Sequence, residues 1–128
     1  MKNSSMKLRC TTDSIRIRIR RSELDQFNQK GKVADAVRFP DGQTLHFSLE
    51  QAAVDHLKAD FTDGHIRVMI PKASAKTWGT TEQVGLEETL QSPGSSSGLH
   101  LLIEKDFPCL HRTHEDKADT FTELAPDQ

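Results

Sequence analysis

The sequence has few of the features that mark a specialised class of protein. Its 128 residues include only two cysteines, and no apolar run approaches the ~20 residues of a membrane helix. The first ten residues lack an apolar core of the signal-peptide kind, and the formal net charge is only −2. These absences disfavour a disulfide scaffold, a membrane span, a secretory signal and a dedicated nucleic-acid binder. A reducing cytoplasm is therefore the expected compartment.

The composition fits a single lean domain. The chain is 34% hydrophobic and 28% charged, with a mean hydropathy of −0.61. A chain of this length can bury roughly two-thirds of its unfolded surface, which allows one core. We expect a frayed start at 1–5, one domain over 6–110, and an extended or disordered tail at 111–128, where five acids face two bases.

Alternation of apolar and polar residues predicts a chain dominated by strands. Residues 14–20 alternate isoleucine with arginine, which is the period-two pattern of a half-buried strand. Asp41-Gly42 and Asp63-Gly64 each separate two such runs, and glycine accepts the positive φ that a tight hairpin turn requires. The predicted strands cover 6–11, 14–20, 33–39, 44–49, 54–61, 65–70, 83–90 and 99–107.

Two short helices interrupt the predicted strands. The first covers 22–30, with Ser22 as its N-cap and Gly31 closing its C-terminus. The second follows Pro71 and covers about 72–78. Their aromatic residues are expected to plug the core, and these are Phe27 and Trp78.

A shift of 51 residues aligns the two halves of the chain. Residues 13–19 then fall on 64–70, and the two helix aromatics coincide. Alternating segments can align by chance, but here the order of elements and both Asp-Gly turns agree as well. The identical pairs are Lys7/Lys58, Thr11/Thr62, Ile15/Ile66, Arg16/Arg67, Ile19/Ile70 and Val33/Val84.

The predicted fold class is α+β with mostly antiparallel strands. Each half, over about 6–50 and 57–107, contains strand, strand, helix, strand, strand, and is too small to fold alone. Two halves facing each other about a pseudo-two-fold axis would form a small barrel or sandwich. With an insertion around 91–97, the alignment extends to Leu45/Leu101 and Phe47/Ile103.

The second half carries a motif of its own. Ile70-Pro71-Lys72 ends a strand, a short helix with Trp78 follows, and strands at 84–87 and 101–103 complete the unit. This order resembles the AbrB-like swapped-hairpin pattern. The resemblance implies a barrel usually built from two chains, for which a tandem pair in one chain is an equivalent, and it implies a DNA-binding regulator.

Further motifs are spread along most of residues 6–121. They lie at 14–19, 38–40, 70–73, 83–85 and 102–110, and the Glu-Lys-Asp-Phe-Pro-Cys-Leu segment at 104–110 is the most specific. Together they resemble a bacterial family of small proteins of unknown function. That resemblance implies a bacterial, cytoplasmic protein and implies no activity.

The richest cluster of reactive side chains lies near the C-terminus. Cys109, His111 and His114 offer one thiolate and two imidazoles, and Asp106 precedes them. These ligand types suit tetrahedral zinc, which is the one cofactor that the sequence suggests. Because the spacing is not a recognised zinc pattern, a small buried cysteine beside solvated histidines stays open as the alternative.

A second candidate site is a basic stripe. If the isoleucines of 14–20 face the core, the arginines between them share the outer face and can bind phosphates. No aromatic residue lies between them, so stacking on single strands is not expected. Pairing with carboxylates such as Asp35 or Glu50 is the alternative. The candidate anion- or nucleic-acid-binding residues are Arg16, Arg18, Arg20 and Lys72.

No strong catalytic motif occurs, so we predict a non-enzymatic binding or interaction module of a bacterial cytoplasmic protein. A zinc-binding protein and an AbrB-like DNA-binding regulator are the alternatives. A protein partner fits, no membrane is expected, and a pI near 6.3 disfavours nucleic acid. Nucleic acid stays open because residues 1–110 hold 15 bases and 14 acids.

Overall fold

The elements follow one another in the predicted order. A computed structural model describes residues 6–91 and 98–106, and strands hold 56% of them. The first half contains β1 (Lys7–Cys10), β2 (Ser14–Ile19), α1 (Arg21–Lys30), β3 (Lys32–Arg38) and β4 (Thr44–Ala52). The second half contains β5 (Lys58–Thr62), β6 (His65–Pro71), α2 (Lys72–Thr80), β7 (Gly85–Gln91) and β8 (Gly98–Lys105). The predicted frayed start and acidic tail lie outside the described residues.

The strands form two four-stranded sheets, with the orders β1-β2-β8-β7 and β3-β4-β6-β5. Each sheet therefore combines one hairpin from each half of the chain. The hairpins are antiparallel, as predicted, but the central pairs β2–β8 and β4–β6 are parallel. Four of the six strand pairs in the described residues are antiparallel, so the prediction of mostly antiparallel strands is confirmed, and the two parallel pairs make both sheets mixed. Tight turns dictate antiparallel pairing only within a hairpin, and the central strands are distant in sequence.

The described strands do not close into a barrel, which corrects one of the two predicted architectures. We call the two places where an edge strand of one sheet adjoins an edge strand of the other the seams. At one seam the backbone N–H of Met6, just before β1, donates to the Asp35 carboxylate of β3 at 3.1 Å. At the other seam the N–H of Leu57, just before β5, donates to Glu88 of β7 at 3.1 Å. At each seam a carboxylate side chain accepts a hydrogen bond across the gap between the sheets. The described edge strands do not pair through their backbones there, so the two sheets stay separate.

One hydrophobic core joins the two sheets and the two helices. The isoleucines of β2 face the core as predicted, with Ile17 and Ile19 buried and Ile15 half-buried, and its arginines face outward. Phe27 and Trp78 are fully buried and pack edge to face with ring centroids 5.8 Å apart, so the prediction of paired core plugs is confirmed. The Trp78 indole N–H donates to the Val84 carbonyl at 3.0 Å. The largest fully buried side chains of the described strands are Ile17, Ile19, Leu49, Ile70, Leu101 and Ile103.

Local chemistry sets the ends of the helices and the turns. Helix α1 begins one residue earlier than predicted: Arg20, and not Ser22, is the N-cap, and its backbone N–H donates to Glu23 Oε1 at 2.7 Å. Gly31 closes the helix with φ 77°, as predicted. The Asp63-Gly64 turn has positive φ at both residues. Neither helix of the described segments is long and apolar enough to cross a membrane.

Candidate anion-binding face

Four basic side chains lie on the outer face of the first sheet. The alternation of β2 places Arg16 and Arg18 there, and β1 adds Lys7 and Arg9 from the antiparallel edge strand. The register sets Lys7 directly opposite Arg18, and Arg9 directly opposite Arg16. We call these four residues the basic face. They line a shallow depression of about 210 Å³.

One carboxylate serves both arginines of β2. Glu104 lies opposite Arg18 in the parallel neighbour β8. Its Oε1 accepts from Arg16 Nε at 3.0 Å and Nη2 at 2.9 Å, and from Arg18 Nε at 3.1 Å. Because one negative charge is shared between two guanidinium groups, it cannot neutralise both.

The two residues of the edge strand are less restrained. Lys7 pairs with the Asp106 carboxylate at 3.3 Å, and its side chain is 60% exposed. Arg9 is exposed and has no ion-pair partner within residues 6–91 and 98–106. Four cations thus face the carboxylates of Glu104 and Asp106, which leaves a net positive charge on the basic face. The third carboxylate on the outer face of this sheet, that of Glu87 in β7, lies 3.1 Å from His100.

The structure brings together two of the four basic residues that the sequence singled out. Arg16 and Arg18 share the face, whereas Arg20 lies beyond the end of β2 at the start of α1. Lys72 is the first residue of α2, which follows a strand of the other sheet. Sequence reasoning overlooked Lys7 and Arg9, although their alternation with Leu8 was the available signal.

A larger cavity of about 400 Å³ lies where α1 begins and β8 ends. Lys105 lines it, and its ammonium donates to the Thr81 carbonyl at 2.7 Å. Burial lowers the pKa of Lys105, and the nearby charge of Arg21 lowers it further. Three cations and two carboxylates line this cavity, and they are Arg20, Arg21, Lys105, Glu82 and Asp106.

Comparison with known proteins places the chain in a family without assigning it an activity. The family of unknown function DUF7009 matches residues 6–125. The chain belongs to this family. No curated protein and no solved structure gives a significant match. The predicted membership in a family of unknown function is confirmed for this DUF7009 protein.

The family match also covers the predicted zinc cluster. Cys109, His111 and His114 lie outside the described residues, so the zinc site stays a prediction. Asp106, the fourth candidate, pairs with Lys7 and donates its backbone N–H to the Ile19 carbonyl at 2.8 Å. Within the described part of the chain, no three potential ligands are grouped around a metal position.

The second sheet contains a serine–histidine contact that the sequence did not indicate. Ser48 Oγ lies 2.9 Å from His65 Nε2 and 3.1 Å from Glu50 Oε2. A nucleophile has to reach its substrate, and Ser48 is fully buried. We interpret this contact as a buried hydroxyl with its hydrogen bonds satisfied.

Proposed function

We propose that this protein is a non-enzymatic binding module and that its basic face binds the phosphate groups of an anionic ligand. The proposal rests on two pairs of directly opposed cations, which are Lys7 with Arg18 and Arg9 with Arg16. Like charges opposite one another on a strand ladder destabilise it. A bound polyanion would relieve that repulsion, so we interpret the opposed cations as a binding site for such a ligand.

The geometry suits phosphate in particular. Guanidinium groups present planar pairs of donors that match phosphate oxygens, and Arg9 is free of ion pairs in the described segments. Arg16 and Arg18 keep about a third of their side-chain surface exposed, at 33% and 30%. The nucleic-acid backbone and a small polyphosphate share this chemistry, so the test includes both.

Binding is tested by titrating the full-length protein with labelled duplex DNA and with pyrophosphate at about 50 mM and about 200 mM salt. We expect binding at low salt that weakens steeply at high salt, because each phosphate contact releases counterions. DNA binding would identify a nucleic-acid ligand, and binding of pyrophosphate alone would indicate a small phosphorylated molecule. No binding of either at low salt would overturn the proposal.

Variants connect the binding to this face. Arg9→Ser/Arg16→Ser should weaken binding about tenfold or more and, for DNA, reduce the salt slope by about two. Glu104→Gln should tighten binding, since it removes the carboxylate that competes with the ligand. The matched control is Arg38→Ser, an exposed arginine at the end of β3 in the other sheet. Equal losses in the control and in the double variant would contradict the assignment.

We also propose that the two halves arose by duplication and are related by a pseudo-two-fold axis. Exchanging the halves converts the strand order of one sheet into that of the other. The seam contacts correspond as well, since Met6–Asp35 and Leu57–Glu88 occupy equivalent places. In both sheets the central parallel pair joins the second strand of one half to the last strand of the other. This exchange of hairpins also fits the AbrB-like resemblance.

The sheet registers support a specific alignment of the halves. Ile17 pairs with Ile103 in one sheet, and Val68 pairs with Leu49 in the other. If Ile17 corresponds to Val68, then Leu49 corresponds to Ile103. The sequence alignment assigned Phe47 to Ile103, which is two residues away. A two-residue shift keeps side chains on the same face of a strand, so the hydrophobic pattern does not reveal it.

For the compartment we propose a reducing cytoplasm in a bacterium. Cys10 is exposed and unpaired, which fits a reducing environment. The bacterial source rests on the sequence resemblance.

A further inference from the structure

The two sheets leave an apolar cleft at the end remote from the helices. Its volume is about 390 Å³, which falls within the range of small-molecule sites. The first residues of β2, β4, β6 and β8 meet there, whereas both helices follow the opposite ends of β2 and β6. We call it the open-end cleft, and its apolar lining consists of Ile15, Leu45, Ala59, Phe61, Ile66 and Leu99.

The two halves differ in side-chain size at the open-end cleft. In the 51-residue alignment, Ala59 takes the place of Leu8, and Phe61 takes the place of Cys10. Leu8 and Ala59 both pack against the core, but alanine fills much less of the space. The small side chains of Ala59 and Cys10 leave the gap, and Phe61 stands at its edge.

We propose that the open-end cleft binds a small, uncharged, apolar molecule. Among its lining residues only Asp60 is charged, and its carboxylate already pairs with Arg67 at 3.4 Å. Thr11 and Ser14, at the rim, hydrogen-bond to each other. The lining thus offers apolar contact with no free charge, which favours an aliphatic or aromatic ligand over an ionic one.

The size of the cleft favours a small molecule over a protein partner. Ten residues line it, whereas a standard protein interface uses about 20–30 residues on each side. Phe61 is 67% exposed, which is the largest value among the exposed large hydrophobic residues of the described segments. A ligand in the cleft would cover part of this ring, so burial of Phe61 would contribute to the affinity.

The test uses the full-length protein and the neutral fluorescent probe N-phenyl-1-naphthylamine. Its emission should rise on binding, and short alcohols or alkanes should displace it. Ala59→Leu fills the gap with the residue that the other half uses, and should weaken binding about fivefold or more. Phe61→Ser removes the exposed ring, and should weaken binding to a similar extent.

Two matched controls separate the cleft from general hydrophobicity. Phe39→Ser removes a ring that is 50% exposed outside the lining, and Ala36→Leu makes the same exchange on the opposite face of the second sheet. Both should bind the probe like wild type. The urea midpoint of Ala59→Leu should be equal to or above that of wild type, because the substitution adds apolar contact.

Three outcomes would overturn the proposal. The first is no probe binding by the wild-type protein. The second is equal binding by wild type and both cleft variants. The third is a concentration-dependent dimer that Phe61→Ser dissociates, since the cleft would then be covered by a second copy. None of these outcomes depends on anion binding at the basic face, which lies on the outer surface of the first sheet.

Discussion

Two carboxylates show how much a single residue contributes to this fold. Asp35 accepts the N–H of Met6 with one oxygen and its neighbour's N–H, that of Ala36, with the other at 2.8 Å. Glu88 accepts the N–H of Leu57 at the opposite seam. Hydrogen bonds to charged groups contribute about 1.5–3 kcal/mol each. The seams are therefore sensitive to substitutions that remove only one side chain.

We predict that Asp35→Ala lowers the free energy of unfolding by about 2 kcal/mol, because it leaves the Met6 N–H without its acceptor in a partly buried place. Asp35→Asn keeps an acceptor oxygen and should cost less. Urea denaturation followed by the fluorescence of Trp78 measures both. Asp25→Ala, on the exposed side of α1, should change stability by no more than about 0.5 kcal/mol. A similar loss in Asp25→Ala and Asp35→Ala would argue against the seam interpretation.

Single residues also mark the limit of the sequence prediction for the basic face. The alternation of β2 was enough to direct Arg16 and Arg18 outward. Their partner was predicted among Asp35 and Glu50, but it is Glu104, 88 positions beyond Arg16. Asp35 lies at a seam, and Glu50 lies near Lys32 at 3.7 Å. Strand pairing decides which carboxylate is near, and no local pattern encodes it.

At the scale of elements, the two helices meet through a glycine. The side-chain amide of Asn28 on α1 donates to the carbonyl of Gly79 on α2 at 3.0 Å. A Cβ atom at Gly79 would collide with the Asn28 amide group. This close approach lets Phe27 and Trp78, each one residue earlier, pack against one another.

We predict that Gly79→Ala is destabilising by about 1 kcal/mol, although alanine has the higher helix propensity. The new methyl group would displace Asn28 and break its hydrogen bond. In the double variant Asn28→Ala/Gly79→Ala the collision is removed. Gly79→Ala should therefore lower the free energy of unfolding less in the Asn28→Ala background than in wild type. A double-mutant cycle from urea unfolding measures this coupling. Additive effects would show that Asn28 does not limit this position.

At the scale of the whole molecule, neither half contains a complete sheet. Each sheet takes two strands from each half, and its central pair crosses between them. The large buried residues of the one core come from both halves. We therefore expect the stability of either half to depend on the other, which the small size of each half also predicts.

We predict that fragments 1–55 and 56–128 do not fold as separate monomers. The cut falls between β4 and β5, where no strand is interrupted. Mixing the fragments should restore the sheet signal in circular dichroism and the buried emission of Trp78. A homodimer of one fragment would also fit the proposed duplication, because equivalent strands could replace each other. A folded monomer of either fragment would contradict the prediction.

The sequence by itself determined the elements and their order. Isoleucine–arginine alternation, Gly31 and the Asp-Gly turns act through backbone preferences and neighbours a few residues away, so they can be interpreted locally. Predicted strand ends were less accurate: β5 begins at Lys58, where alternation suggested residue 54.

Only the tertiary structure decided how the hairpins pair between the halves. It made the central pairs parallel, kept the two sheets open at their seams, and placed Glu104 beside both arginines. It also left the open-end cleft between the two sheets. These features depend on contacts between strands far apart in the chain, where long-range packing selects among pairings that the local pattern permits equally.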